Sequence, residues 1–240
     1  MDGRVLWVTG AGSGMGQASA VSAGASGRRV VLSGRRADAL ADTARRIVEA
    51  GGSEPLQLPL DVRDPAALAA AHDRIVDTFG AVDELVCAAG LNAPRRTWAD
   101  QSMETFAAIV DTNLTAVART ADLVLPGMRA SGFGTLVLIS SISAWRLSPG
   151  AGVAYTAGKR GLKALTETIN AQEGGHGIRA TLLLPGDVDS EFLQLRPSAP
   201  DERTRARMLT AADIADTVRF VLECPPRVCI DELVITPTGF

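Results

Sequence analysis

The chain holds a single tyrosine, Tyr155, and a lysine stands four residues after it, Lys159, in the stretch AYTAGKRGL. Four residues are about one turn of helix, so the phenol and the ammonium would share a face. A free phenol titrates near 10, too high for an efficient base at neutral pH. A cation about 4 Å away, at an effective dielectric near 20, is worth roughly 4 kcal/mol, or about 3 pH units before desolvation is counted. The pair therefore suits a group that gives or takes a proton near neutrality. It equally suits a tyrosine that only packs, and the rest of the chain has to separate the two.

A second group of residues suits a dinucleotide. TGAGSGMG places Gly10, Gly12, Gly14 and Gly16, with Ser13 and Met15 between them, directly after an apolar run and before a helical pattern. Glycines there let the backbone turn tightly and approach a pyrophosphate, whose charge the helix N-terminus favours. The next apolar run ends in VLSGRR. An acid at its end would hold the ribose 2′-hydroxyl of NAD(H), but Gly34 stands there, followed by Arg35 and Arg36. A guanidinium fork suits a phosphate dianion, so the expectation is NADP(H), with NAD(H) as the alternative and Arg35 as the main 2′-phosphate ligand. In LDVRD, Asp61 is placed to accept from the adenine amino group beside the Val62 backbone, while Asp64 before Pro65 reads as a helix cap.

Seven apolar, β-branched runs carry these groups: 4–9, 29–34, 55–60, 83–89, 135–140, 178–184 and 232–236. Amphipathic stretches alternate with them at 14–26, 37–50, 64–79, 102–130, 155–173 and 211–223. This alternation predicts an α/β fold of Rossmann type, a doubly wound parallel sheet with helices on both faces and one domain over 1–240. Ligands of such sheets sit beyond the carboxyl ends of the strands, where the residues above fall.

Composition narrows the function classes. A net charge of −3 gives no basic footprint for nucleic acid or an anionic membrane, and no apolar run reaches the roughly 18 residues of a span. MDGRVLWVTG enters a strand pattern without signal-peptide shape. Cys87, Cys224 and Cys229 are odd in number and lack C-x-x-C spacing, and His72 and His176 are the only histidines. Neither a disulfide frame nor a metal site is expected, and the expected setting is the cytoplasm.

Taken in order, Thr9-Gly10-x3-Gly14-x-Gly16, Asp61, Asn113, the serines at 140–141 and Tyr155-x3-Lys159 resemble the short-chain dehydrogenase/reductase family over the whole chain. The resemblance implies hydride transfer between an alcohol and a ketone or aldehyde, with Tyr155 supplying or removing the proton at the substrate oxygen. It implies that Lys159 holds the nicotinamide ribose and that Asn113 holds a water linking Lys159 to solvent. Ser141 would position the substrate oxygen; the stretch from it to Tyr155 is one residue longer than the family pattern, which leaves Ser143 as the alternative. LLLPGDVDSEF resembles the family turn at the nicotinamide, with Pro185 and Gly186 shaping it, the Val188 backbone facing the carboxamide and Ser190 replacing a threonine. CAAG, Cys87 to Gly90, stands where the family has N-N-A-G; Ala89 and Gly90 still line the cofactor, and a sheet-bracing asparagine is missing. The ending CIDELVITPTGF is similar to clavulaldehyde-type reductases and small hydroxy-acid dehydrogenases.

Ser143, Trp145, Leu147 and Phe192, with Trp98, Leu193 and Leu195, are expected to wall an apolar substrate pocket under a loop at about 187–210. Arg95, Arg96, Arg146 and Arg196 could meet an anionic group of the substrate, but read first as scattered surface arginines. Two alternatives stay open: an NAD-linked catabolic alcohol dehydrogenase, and a nucleotide-sensing protein on the same fold. The resemblance also implies a homo-oligomer, a tetramer or dimer, built on the helices at 102–130 and 155–173.

Overall fold

The computed structural model of the chain describes residues 3–239. Among them, seven strands, β1 (Val5–Thr9), β2 (Arg29–Gly34), β3 (Leu56–Pro59), β4 (Glu84–Cys87), β5 (Gly134–Ile139), β6 (Ile178–Pro185) and β7 (Glu232–Ile235), form one sheet. Their order is β3-β2-β1-β4-β5-β6-β7, and every pairing is parallel. The order reverses between β1 and β4, which opens a crevice at their carboxyl ends.

Side-chain alternation along the strands divides the core. Val5 and Trp7 of β1 join one buried cluster, Leu6 and Val8 the other. The first is covered by α3 (Pro65–Phe79), α5 (Ala116–Ser131) and α7 (Val153–Glu173), the second by α1 (Gly14–Ala25), α2 (Ala37–Glu49) and α9 (Ala211–Glu223). Two buried polar pairs cross the sheet: Glu84, fully buried, takes a 2.5 Å contact from Arg28, and Trp7 Nε1 donates to Ser33 Oγ. Asp64 caps α3 by accepting from Ala66 N and Ala67 N, with Pro65 at the first helical position.

The helical stretch at 102–130 is not one regular helix. It divides into α4 (Met103–Val110), a π-helical turn (Asp111–Thr115) and α5. Asn113 sits in that turn, fully buried, with Oδ1 accepting from Leu91 N and Nδ2 donating to Leu91 O, both at 2.8 Å. The widened turn and these two bonds occur together, as π-bulges commonly do at functional sites. The short helices α6 (Ile142–Trp145) and α8 (Glu202–Arg205) and 3-10 turns at Pro149–Ala151, Gly174–His176 and Glu191–Leu195 complete the connections.

Candidate active site

At the crevice the glycine turn is held by its own neighbours. Gly10 has φ 71°, and a Cβ there would lie 2.5 Å from Ala89 N. A Cβ at Gly16 would lie 2.3 Å from Gly10 O. These two positions exclude every side chain, which keeps the backbone of Gly12, Ser13, Gly14 and Met15 bare along the cleft wall. Such a cradle, at the N-terminus of α1, fits a pyrophosphate.

Gly34, Arg35 and Arg36 line the next part of the cleft, with Asp61 and Val62 opposite. Arg63, which the sequence reading passed over, engages both carboxylate oxygens of Asp61 at 2.6 to 3.1 Å. Those hydrogen bonds, and the nearby charge of Arg35, hold the Asp61 carboxyl below its ordinary range. Arg36 reaches Glu191 at 3.3 Å, with both side chains exposed. Three guanidinium groups therefore border this end of the cleft. Nothing but LDVRD itself could have pointed to Arg63, since its partner is two residues away.

Toward the sheet's far side, Gly186 N donates to Ile235 O at 2.7 Å, and Val188 pairs with Leu209. That bridge uses Asp187 O and Asp189 N, so the Val188 amide and carbonyl turn to the opposite edge. Pro185, Gly186 and Val188, expected at the cofactor, are not among the residues that line the cleft, whereas Ser190, Ala89 and Gly90 line it directly. Ser190 Cβ packs 3.6 Å from where a Cβ on Gly14 would stand.

Tyr155 enters from the first turn of α7, and Lys159 follows one turn later; both line the cleft. Lys159 is buried, and its Nζ donates to Ile139 O at 2.7 Å, 5.9 Å from the centre of the Tyr155 ring. Burial lowers the Lys159 ammonium from 10.5 to about 8. Burial also raises Tyr155 above 10; a hydrogen bond from Ser141 opposes this first, then the charges of Arg196 and Arg96. The expected acidification of the phenol by Lys159 is thus corrected. The ammonium is directed at the Ile139 carbonyl, and desolvation is the largest influence on the phenol.

Of the two candidate serines, Ser141 caps α6 and faces Tyr155. Ser143 is fully buried, its hydroxyl without a hydrogen-bond partner among the described residues. Asn113 directs one acceptor position and one N–H of its side-chain amide at Leu91. Among the expected pocket walls, Phe192 stands over Tyr155 with ring centres 5.9 Å apart. Trp145 and Leu147 do not wall the cleft: they are 57% and 70% exposed, as is Trp98 at 80%. Arg96 departs from the surface reading in the other direction, being only 5% exposed. No group of three or more His, Cys, Asp or Glu side chains able to hold a metal occurs among the described residues, and none of their helices is long and apolar enough to cross a membrane.

Comparison with known proteins agrees with this geometry. The family model described as short chain dehydrogenase matches residues 4–200. An uncharacterized oxidoreductase of Mycobacterium tuberculosis (strain ATCC 25618 / H37Rv) is 35% identical over 239 residues, covering 98% of this chain and 91% of that protein. Glycine betaine reductase ATRR of Emericella nidulans is 30% identical over 242 residues; 99% of this chain is matched, but it spans only 19% of that protein's length. Among solved structures, an alcohol dehydrogenase from the archaeon Thermococcus sibiricus, complexed with 5-hydroxy-NADP, superimposes with a TM-score of 0.89 at 28% identity, covering 100% of this chain and 98% of that one. With the matched segment holding the glycine turn, Tyr155 and Lys159, the chain belongs to the short chain dehydrogenase family of oxidoreductases.

Proposed function

We propose that the protein is an NADP(H)-dependent oxidoreductase that interconverts a ketone or aldehyde with an alcohol. The observation that carries this is the opening of Tyr155, with Ser141 beside it, onto the same cleft as the glycine turn. The nicotinamide supplies or accepts the hydride. In reduction the Tyr155 phenol gives its proton to the substrate oxygen, and a phenol kept above 10 by burial is well suited to arrive protonated. Ser141 donates to the same oxygen and fixes its position. Lys159, beside Ile139 O, is the cation available to the ribose hydroxyls and to the phenolate after proton transfer. Asn113 braces the Leu91 peptide that borders the cleft.

Arg35, Arg36 and Arg63 around Gly34 support NADP(H), as does the 5-hydroxy-NADP bound to the Thermococcus sibiricus enzyme. The substrate is a small molecule held under Phe192, and the protein works as a homo-oligomer in the cytoplasm. The test is loss of NADPH absorbance with a panel of ketones and aldehydes, run for the wild type and for Tyr155→Phe. Turnover in the wild type and a kcat lower by about a thousandfold in the variant, with cofactor binding retained, is expected. Binding of NADPH without turnover on any carbonyl would leave a sensing role instead. In the same assay, Arg35→Asp should lower the NADPH to NADH ratio of kcat/KM by tenfold or more, and an unchanged ratio would remove Arg35 from the cofactor site.

A further inference from the structure

Arg96 is a buried cation that the proposed reaction does not use. Arg96 as a whole is 5% exposed, and its guanidinium donors reach three carbonyls: Ala93 O at 2.7 Å, Gly150 O at 3.4 Å and Leu195 O. These belong to three segments around the reacting end: the chain after β4, the Pro149–Ala151 turn, and the Glu191–Leu195 turn that carries Phe192. The Arg96 carbonyl accepts from Val153 N at 3.0 Å, two residues before Tyr155. At Gly152, where φ is 96°, a Cβ would lie 2.6 Å from Arg96 Cβ, so the contact is closed on that side as well.

No carboxylate lies within ion-pair distance of Arg96 among the described residues. A buried charge is normally paired, because desolvation of an ion costs several kcal/mol. The neighbouring Arg196 contrasts with it: its charge is offset by Asp187 at 2.5 Å. Around the phenol, therefore, Ser141 is neutral, Arg196 and Asp187 compensate each other, and Lys159 is turned to Ile139 O. Arg96 and Lys159 are left as positive charges that face only carbonyls, and Arg96 is the one held by the segments of the substrate side.

We propose that Arg96 is the positioning residue of the reacting end: it ties the three loops that wall the substrate side, and its uncompensated charge favours the Tyr155 phenolate once the proton has left. The O–H bond of the phenol breaks, the proton passes to the substrate oxygen or to solvent, and the negative charge remains on the ring oxygen within the field of Arg96. This deepens the reading of Tyr155 as the proton-handling group, yet its first readout needs no turnover.

Because Tyr155 is the only tyrosine, protein labelled with ¹³C at the tyrosine ring carbon bearing oxygen gives one resonance that follows its ionisation. The titration is run on wild type, Arg96→Met and Arg96→Lys, each checked for fold by circular dichroism. At a fixed alkaline pH the phenolate fraction should fall about threefold or more in Arg96→Met and stay near wild type in Arg96→Lys. If Arg96→Met does not fold, Arg96→Gln, which keeps a donor for the carbonyls, takes its place against Arg96→Lys. Equal ionisation in the charged and neutral variants overturns the proposal, as does a wild-type resonance that stays at the phenol position until the chain unfolds. Either failure leaves the assignment of Tyr155 to be judged by the NADPH assay alone.

Discussion

Replacing Lys159 by methionine should make the folded chain more stable while removing its redox activity. Lys159 is 5% exposed, and burial lowers its ammonium from 10.5 to about 8. Each pH unit is worth about 1.4 kcal/mol, so keeping this charge in the fold at pH 7 costs on the order of 3 kcal/mol. Methionine fills a similar volume without the charge, but it leaves Ile139 O, now accepting at 2.7 Å, short of a donor. That loss is worth about 1 kcal/mol or more, which leaves a net gain of roughly 1–2 kcal/mol at pH 7. The pH dependence has a definite sign. Between about 8 and 10.5 the unfolded chain binds more protons at this residue than the folded one, so wild-type stability gains as pH rises through that window. Urea unfolding of both proteins at pH 7 and pH 9.5 measures this directly. The advantage of Lys159→Met should be present at pH 7 and shrink at pH 9.5. A variant less stable at pH 7, or a gap that does not change with pH, would refute the buried-cation account.

Three further outcomes follow from contacts already described. Ser141→Ala should lower kcat for carbonyl reduction by about a hundredfold, since its hydroxyl meets Tyr155. Ser143→Ala, which removes a buried hydroxyl with no partner, should keep near-wild-type turnover and stability; steady-state assays of the two variants decide it, and the reverse pattern would exchange their roles. Gly16→Ala places a Cβ 2.3 Å from Gly10 O, and backbone cannot yield there cheaply. A loss of 2 kcal/mol or more in urea unfolding is expected, together with weaker NADPH binding by fluorescence.

The strand–helix alternation and the glycine run were legible because both are local. β-branched runs and helical periodicity recur within a dozen residues, and a turn that must stay bare shows itself as glycine. Tyr155, Lys159 and the paired serines were legible for the same reason, as ordered motifs at fixed spacing. The split of the 102–130 helix was not, because the π turn goes with bonds between Asn113 and Leu91, 22 residues apart. Trp145 and Leu147 look like pocket walls in sequence, yet only the course of the chain after β5 leaves them outside. The grip of Arg63 on Asp61 lay in plain view but needed a backbone turn to bring the fork round.

The linear sequence by itself determined the class of sheet, the place of the dinucleotide turn and the identity of the phenol–lysine pair. Tertiary structure alone decided the surroundings that shift the titration of that pair. A titration depends on the water excluded and on every charge brought near, and these come from segments far apart in the chain: Ile139 for the lysine, Ser141, Arg96 and Arg196 for the tyrosine. Neighbours along the chain cannot report what lies across a fold, which is why a short surface-like run, PRRTW, concealed a buried arginine beside the site.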